Sequence, residues 1–193
     1  PPQGRPLVDL LGGARATELD AYASMFRFND PDQLADAVRA ALKEGFRAFK
    51  IHERGVAEAR AAREAAGAET PMMMDTNCAW SPREAFDMAS ALRPIGLRWL
   101  EEPIFPPEDV GTLASLQATA GIPIATGENA CTAFEFDKII RAGAASYVQP
   151  SVTKVGGVTE LRKVAALAEV AGIEMVPHCV CFGPGLLATL HLI

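Results

Sequence analysis

Three acidic residues stand at the ends of three successive apolar runs. Asp75 ends "PMMMD", Glu101 ends "RWLE" and Glu128 ends "PIATGE". Carboxylates brought together repel one another and raise one another's pKa values unless a cation holds them. Oxygen ligands without thiolates select a hard divalent ion, and Mg²⁺ is commonly bound by a few carboxylates. The three acids therefore predict a Mg²⁺ site. The alternative, pairing with surface Lys or Arg, fits less well because acids seldom recur at the ends of adjacent buried strands.

Basic side chains end two further apolar runs. If "AFKIH" is a strand, Lys50 and His52 project from the same face, because strand side chains repeat every second residue, and Ile51 points the other way. His178 ends the later run "EMVPH". The sequence thus predicts bases or cations at the same strand ends as the acids.

Seven strand-like segments alternate with helix-like stretches. The strand-like segments cover residues 19–25, 48–52, 71–77, 98–103, 123–128, 146–150 and 174–178. Between them lie helix-like segments that open on Ser, Asp or Pro signals and mostly close on Gly, at residues 30–45, 55–67, 81–96, 106–121, 130–143 and 156–172. This alternation predicts right-handed βαβ units around a parallel sheet.

An open sheet and a closed barrel both fit the alternation, and the polar residues decide between them. Polar side chains end five or more strands, as in the active site of a (β/α)8 barrel, whereas an open sheet would gather them at one switch point. The predicted fold class is therefore α/β, a (β/α)8 TIM-type barrel. Seven strands are countable, and we expect the eighth strand to be absent from this chain, which looks cut at both ends.

Composition excludes several classes of protein. The 193 residues are 49% hydrophobic and carry a net charge of -6, without the basic patch that nucleic acid needs. No apolar run reaches the roughly 18 residues of a membrane span, and no signal peptide is visible, so a soluble cytoplasmic protein is expected. The cysteines follow neither a disulfide framework nor a zinc pattern, so reduced thiols are predicted at positions 78, 131, 179 and 181.

Several motifs occur together in one order: "MDTN", "WLEEP", "ATGEN", "VQPSVTKVGGVTE" and "VPHCVCFGPG". They resemble the barrel domain of the enolase superfamily, in its mandelate racemase and muconate lactonizing enzyme branch. The resemblance implies that residues 1–17 are a linker from an N-terminal capping domain and that residues 18–193 belong to the barrel. It also implies Mg²⁺ and removal of the proton α to a substrate carboxylate, giving an enolate intermediate. A small carboxylate substrate and a homo-oligomer are expected.

By this resemblance Asp75, Glu101 and Glu128 are the metal ligands, the first Glu of "EEP" being the one that ligates. Asn77 and Asn129 would steady the ligands or bind substrate oxygens, although both could instead serve turn formation. The metal would offset the second negative charge of the developing enediolate.

The resemblance also locates the bases and two departures. The family's second strand typically ends in Lys-x-Lys, whereas this chain has Lys50 and His52. His178 matches the family's strand-seven histidine, but Ser151 stands where its aspartate partner is expected. We expect Lys50 to help keep His52 neutral, and His178 to have a lowered pKa without the carboxylate. Lys154 is an alternative base.

These departures favour dehydration of a sugar acid or hydroxy acid over racemisation, which needs a base on each face of the substrate. A racemase or epimerase is the nearest alternative. A Schiff-base enzyme using Lys50 or Lys154, or a relative that has lost catalysis, are the others.

Overall fold

The computed structural model describes residues 4–180 and 182–193, so Cys181 lies outside the described residues. Seven parallel strands form one sheet, and every strand pairs with the next in chain order. They are β1 Ala23–Ser24, β2 Phe49–Ile51, β3 Met72–Asp75, β4 Trp99–Glu101, β5 Ile124–Thr126, β6 Tyr147–Val148 and β7 Glu174–Met175. The seven predicted strands and their parallel order are confirmed, in an architecture of βα units characteristic of the TIM-type barrel.

Helices connect the strands. The structure has α1 Leu7–Leu10, α2 Pro31–Lys43, α3 Val56–Ala66, α4 Pro82–Leu92, a 3-10 helix Arg93–Ile95, α5 Val110–Thr119, α6 Ala133–Arg141, α7 Val158–Ala171 and α8 Pro184–Leu190. Six of them match the predicted helices, with shorter bounds. Helix α1 lies in the predicted linker, and α8 was not predicted. No helix in the described ranges has the length and apolarity needed to cross a membrane.

Local capping explains where the helices begin. The Ser81 side chain accepts from the Glu84 backbone N–H, while the Glu84 carboxylate accepts from the Ser81 N–H, a capping box at the start of α4. At the start of α2 the Asp30 side chain accepts from the backbone N–H groups of Asp32 and Gln33. Helix α5 begins four residues later than predicted, because Asp109 is its N-cap and the Asp109 side chain accepts from the Thr112 backbone N–H.

The sheet separates two apolar layers. Phe49 and Ile51 of β2 lie in the main core between strands and helices. On the opposite face, Met73, Trp99 and Ala125 form a smaller cluster inside the curved sheet. Because side chains alternate along a strand, the inward positions that follow this small cluster are the ones that carry the polar residues.

The first predicted strand is much shorter than expected. Residues 19–25 were predicted, but only Ala23–Ser24 form a strand, in register with Phe49 and Lys50 of β2. Residues 19–21 are exposed and pair with no neighbouring strand among the described residues. The apolar residues of this segment therefore misled the prediction, since a strand also requires backbone pairing with a neighbouring strand, which among the described residues is found only at Ala23–Ser24 in this segment.

Candidate active site

Three carboxylates meet at the carboxyl ends of β3, β4 and β5. Asp75 pairs in register with Glu101, and Glu101 pairs with Ala125, three residues before Glu128. One oxygen from each acid lies within 4.8 Å of the others. Asp75 and Glu101 are buried, and Glu128 is partly buried. The structure therefore brings together all three of the predicted ligands.

Lys50 lies between two of these acids. Its Nζ is 3.0 Å from Asp75 Oδ2 and 2.6 Å from Glu101 Oε1. Burial alone would lower the pKa of Lys50, but the charges of Glu101 and Asp75 raise it well above its usual value. Lys50 is therefore held as a cation, with its amine unavailable as a base or nucleophile.

His52 lies beside Lys50, as the strand alternation predicts, and contacts Asp75. Its Nε2 is 3.3 Å from Asp75 Oδ2, and its Nδ1 donates to the Met25 carbonyl. Burial lowers the pKa of His52, but the hydrogen bond and charge of Asp75 raise it above the usual value, and the opposing charge of Lys50 does not offset them. The expectation that Lys50 keeps His52 neutral is therefore wrong for the metal-free chain, because the carboxylate is the closer partner.

His178 approaches the cluster from β7. Its Nε2 lies 3.0 Å from Glu128 Oε2, while its buried Nδ1 has no hydrogen-bond partner among the described residues. Burial, followed by the charges of Lys50 and Lys154, lowers the pKa of His178 to about 4. The lowered pKa was expected. Its main cause is burial, and Glu128 supplies a carboxylate contact where Ser151 cannot.

The donor set fits a divalent cation. Burial, then the charges of Asp75, Glu102 and Glu101, raise the pKa of Glu128 to about 7. Burial also raises the pKa of Glu101, although Lys50 opposes it. Lys50 contacts Asp75 and Glu101 and its charge also acts on Glu128, so one lysine faces three acids. The excess negative charge is of the kind that a hard divalent ion offsets. Asp75, Glu101 and Glu128 are a carboxylate triad able to bind such an ion.

The remaining predicted residues have other partners. The Asn77 side chain accepts from Arg27 at 3.0 Å, and the Asn77 backbone N–H donates to Asp75 Oδ1 at 2.8 Å. Asn129 Nδ2 lies 3.4 Å from the Glu102 carboxylate, so it faces this acid and not a ligand oxygen. Both residues are exposed, and their role in binding substrate stays a prediction.

Ser151 and Lys154 lie in the loop after β6. The Ser151 hydroxyl is buried and lies 3.1 Å from Thr153 Oγ1, and the Ser151 carbonyl accepts from the Lys154 backbone N–H. Lys154 is exposed, and its charge acts on His178. Lys154 is thus near enough to influence the site, while the predicted contact of Ser151 with substrate is untested.

Sequence reasoning missed three contributors to the site. The Trp99 indole Nε1 donates to Glu101 Oε2 at 2.8 Å, and Gln149 also hydrogen-bonds Glu101. Both face inward at alternate positions of β4 and of the run after β6, so the period of two could have found them. Arg27 bridges the loops after β1, β2 and β3, through the His52 carbonyl and Asn77, and no local pattern signals it.

Known proteins resemble this chain in sequence. One curated relative is a 3,6-anhydro-alpha-L-galactonate cycloisomerase of Streptomyces coelicolor, 39% identical over 71% of this chain and 39% of its own length. Another is an arabinonate dehydratase of Saccharolobus solfataricus, 30% identical over 97% of this chain and 52% of its length. The chain thus spans about half the length, or less, of these relatives.

A solved structure of a related enzyme also resembles this chain. The crystal structure of L-talarate dehydratase from Polaromonas, complexed with Mg and L-glucarate, matches 93% of this chain and 50% of its own, at 32% identity and a TM-score of 0.80. The family described as enolase C-terminal domain-like matches residues 33–193, which include every strand end of the site except that of β1. This chain belongs to the enolase C-terminal domain-like family.

Proposed function

We propose that this protein belongs to a Mg²⁺-dependent enzyme that removes the proton α to a substrate carboxylate and dehydrates a sugar acid or hydroxy acid. The observation that carries the proposal is the carboxylate cluster of Asp75, Glu101 and Glu128, with His52 on one side and His178 on the other. Relatives that include dehydratases, and a neighbour that holds Mg with a sugar diacid, support the substrate class.

Asp75, Glu101 and Glu128 would hold the cation. When bound, Mg²⁺ supplies positive charge that offsets the second negative charge of an enediolate, without which an α-proton beside an ionised carboxylate is only weakly acidic. Lys50 adds a fixed positive charge at the same strand ends, because two carboxylates keep it protonated. We assign Lys50 to binding the substrate carboxylate, and Lys154 to a second, more exposed cation beside His178.

The two histidines are the proposed acid–base pair. A dehydration needs one group to take the α-proton and another to assist the loss of hydroxide. His52 and His178 lie at the ends of β2 and β7 and contact different members of the cluster, so each reaches the site from its own side. We assign His52, in its neutral form, to the proton abstraction, and His178 to orienting the leaving hydroxyl, because its lowered pKa keeps this ring neutral near pH 7.

Deuterium exchange can test both the function and this assignment. The purified protein is incubated in D₂O with Mg²⁺ and a panel of sugar acids that includes arabinonate and L-glucarate, and α-exchange and keto-acid product are measured separately. His52→Asn should lose both signals if His52 is the base. His178→Asn should keep α-exchange and lose product. Absence of exchange and product over the whole panel, with Mg²⁺ present and the protein folded, would contradict the proposal.

A racemase, epimerase or cycloisomerase is the second candidate. It is supported by the presence of a histidine on each side of the cluster and by the cycloisomerase relative. In that case α-exchange would be accompanied by inversion or ring closure and not by a keto acid. A Schiff-base reaction at Lys50 is disfavoured, because a lysine between two carboxylates is not a free amine. Borohydride with substrate would trap an adduct if it occurred.

The oligomeric state and the cellular location are further proposals. An exposed apolar groove between α6 and α7, formed in part by Phe134, Leu167 and Val170, supports a homo-oligomer, because large exposed apolar side chains commonly mark an interface. Light scattering after size-exclusion chromatography measures the oligomeric state. A cytoplasmic location stays a prediction from the sequence.

A further inference from the structure

Glu102 is a buried carboxylate that pairs with no cation among the described residues. Only 1% of the residue is exposed, and it has no ion pair with the described residues. Its backbone φ is 44°, in the left-handed region that residues other than glycine seldom adopt. A buried charge in a strained backbone persists only where the surroundings fix it firmly. Glu102 therefore requires an explanation beyond its place next to Glu101.

Four neutral donors fill the acceptor positions of the Glu102 side chain. Oε1 accepts from Thr126 Oγ1 at 3.0 Å and from the Gly127 backbone N–H at 2.8 Å. Oε2 accepts from Cys78 Sγ at 3.3 Å and from Asn129 Nδ2 at 3.4 Å. The carboxylate is thus satisfied by hydrogen bonds alone, and three of its four donors lie in residues 126–129, which include Glu128.

The backbone of Glu102 binds the neighbouring loop. Its carbonyl accepts from Thr76 Oγ1 at 2.8 Å and from the Cys78 backbone N–H at 2.7 Å. Those residues directly follow Asp75. One residue therefore ties the loop after β3 to the loop after β5, and each of these loops follows or contains one of the acids of the cluster.

The loop after β5 has little room to move on its other side. Gly127 has a φ of 123°, and a Cβ at this position would lie 2.5 Å from Phe136 Cε1. The loop is therefore packed against α6 on one side and hydrogen-bonded to Glu102 on the other. Its geometry, and with it the placement of Glu128, depends on both contacts.

We propose that Glu102 is a positioning residue for the metal site, which holds Asp75 and Glu128 at the separation that one divalent cation requires. The inference rests on the proposed function, because it presumes that the cluster binds Mg²⁺. Partners of metal ligands commonly change metal affinity about 10- to 100-fold when they are mutated. Glu102 itself is not a ligand in this assignment, since its oxygens are directed at Thr126, Gly127, Cys78 and Asn129.

Glu102→Gln tests the proposal with almost no change in shape. An amide offers one acceptor oxygen and one donor group, so either the fixed Gly127 N–H or the Cys78 and Asn129 pair loses its acceptor. Calorimetric titration with Mg²⁺ alone should show an affinity about 10- to 100-fold weaker than that of the wild type. Glu44→Gln, which removes an exposed acid at the end of α2, should leave the affinity unchanged.

Thermal unfolding without metal separates positioning from folding. If Glu102→Gln folds and binds Mg²⁺ as tightly as the wild type, the inference is overturned while the proposed function stands. If the wild type itself binds no Mg²⁺, the proposed function fails first. Should Glu102→Gln not fold, Thr126→Val removes one donor and keeps the charge, and a severalfold loss of Mg²⁺ affinity in that folded variant would support the inference. An unchanged affinity in Thr126→Val would overturn it.

Discussion

The strand ends of β2 to β4 and those of β5 to β7 serve one site, but they are built differently. On the first side Lys50, His52, Asp75 and Glu101 are linked by contacts of 2.6 to 3.3 Å. Each ring nitrogen of His52 faces an acceptor, and Trp99 donates to Glu101. Charges there are paired, and the groups hold one another in place.

The second side keeps unfilled hydrogen-bonding capacity. Glu128 contacts His178, but the buried atoms His178 Nδ1 and Gln149 Oε1 have no hydrogen-bond partner in the part of the chain that the structure describes. The pKa of Glu128 is raised to about 7, near the working pH of most enzymes. The difference teaches that the first side is held in place by its own contacts, whereas the second side retains buried polar atoms that can take further hydrogen bonds.

The largest expected effect comes from removing a charge on the first side, formed by the ends of β2 to β4. Glu101→Gln takes one carboxylate from the cluster and leaves Lys50 with Asp75 alone. Because a metal's charge stabilisation is worth several kcal/mol and about 1.4 kcal/mol is tenfold in rate, Mg²⁺-dependent α-exchange should fall by at least about 10³-fold. Exchange in D₂O measures it. Near-normal exchange in this variant would show that the cluster is not the metal site.

The histidines give the second largest effect and compare the two sides directly. His52→Ala should lower kcat by about 10² to 10⁴-fold if His52 is the general base. His178→Ala should affect product formation more than α-exchange. Steady-state kinetics and exchange on both variants decide the matter. An unchanged rate for His52→Ala would move the base to His178 or Lys154.

Metal affinity should depend on pH through the second side. In the metal-free chain Glu128 keeps its proton up to about pH 7, so a cation must displace that proton at lower pH. The affinity for Mg²⁺ should fall up to about tenfold per pH unit below 7 and level off above it. Titrations between pH 5 and about 8 measure the slope. A flat profile would mean that Glu128 is ionised throughout or is not a ligand.

The smallest effect concerns the cation beside His178. The charge of Lys154 contributes to the lowered pKa of His178, so Lys154→Met should raise that pKa, by less than about one unit because the side chain is exposed. Because the pKa of His178 is lower in the folded chain, the free energy of unfolding decreases as the pH falls from the ordinary pKa of histidine towards about 4. The variant should therefore lose slightly less stability in acid.

NMR titration of the His178 ring measures this shift. Lys163→Met is the matched control, because Lys163 pairs with Glu160 on the outer face of α7. If the His178 pKa does not change in Lys154→Met, or changes equally in Lys163→Met, the charge of Lys154 does not act on His178 and the prediction is wrong.

The alternation of side chains along strands, and of strands with helices, predicted much of the fold and the residues at the ends of β2 to β5. Alternation along a strand put Lys50 and His52 on one face, and the ends of three strands gave Asp75, Glu101 and Glu128. These features depend on local geometry that every strand shares. The parallel order of the seven strands followed from the same reasoning.

The rest depends on features that no local pattern encodes. Glu102 has a left-handed backbone, so alternation along the strand does not show that its carboxylate ties two loops together. The contact of His178 with Glu128 joins strands that are not neighbours and depends on the curvature of the sheet. Arg27 reaches two loops through a long side chain. Such partners require the three-dimensional arrangement.

Strand order in this sheet equals chain order, and this has a consequence for how the chemistry is encoded. The three acids come from consecutive βα units, between Met72 and Glu128, while the two histidines lie in units before and after them. The proposed acid–base groups and the proposed cation ligands therefore lie in separate segments of the sequence. Exchanging the segment around β2 or β7 with that of a relative should therefore alter the reaction while the segment that carries the three acids stays unchanged.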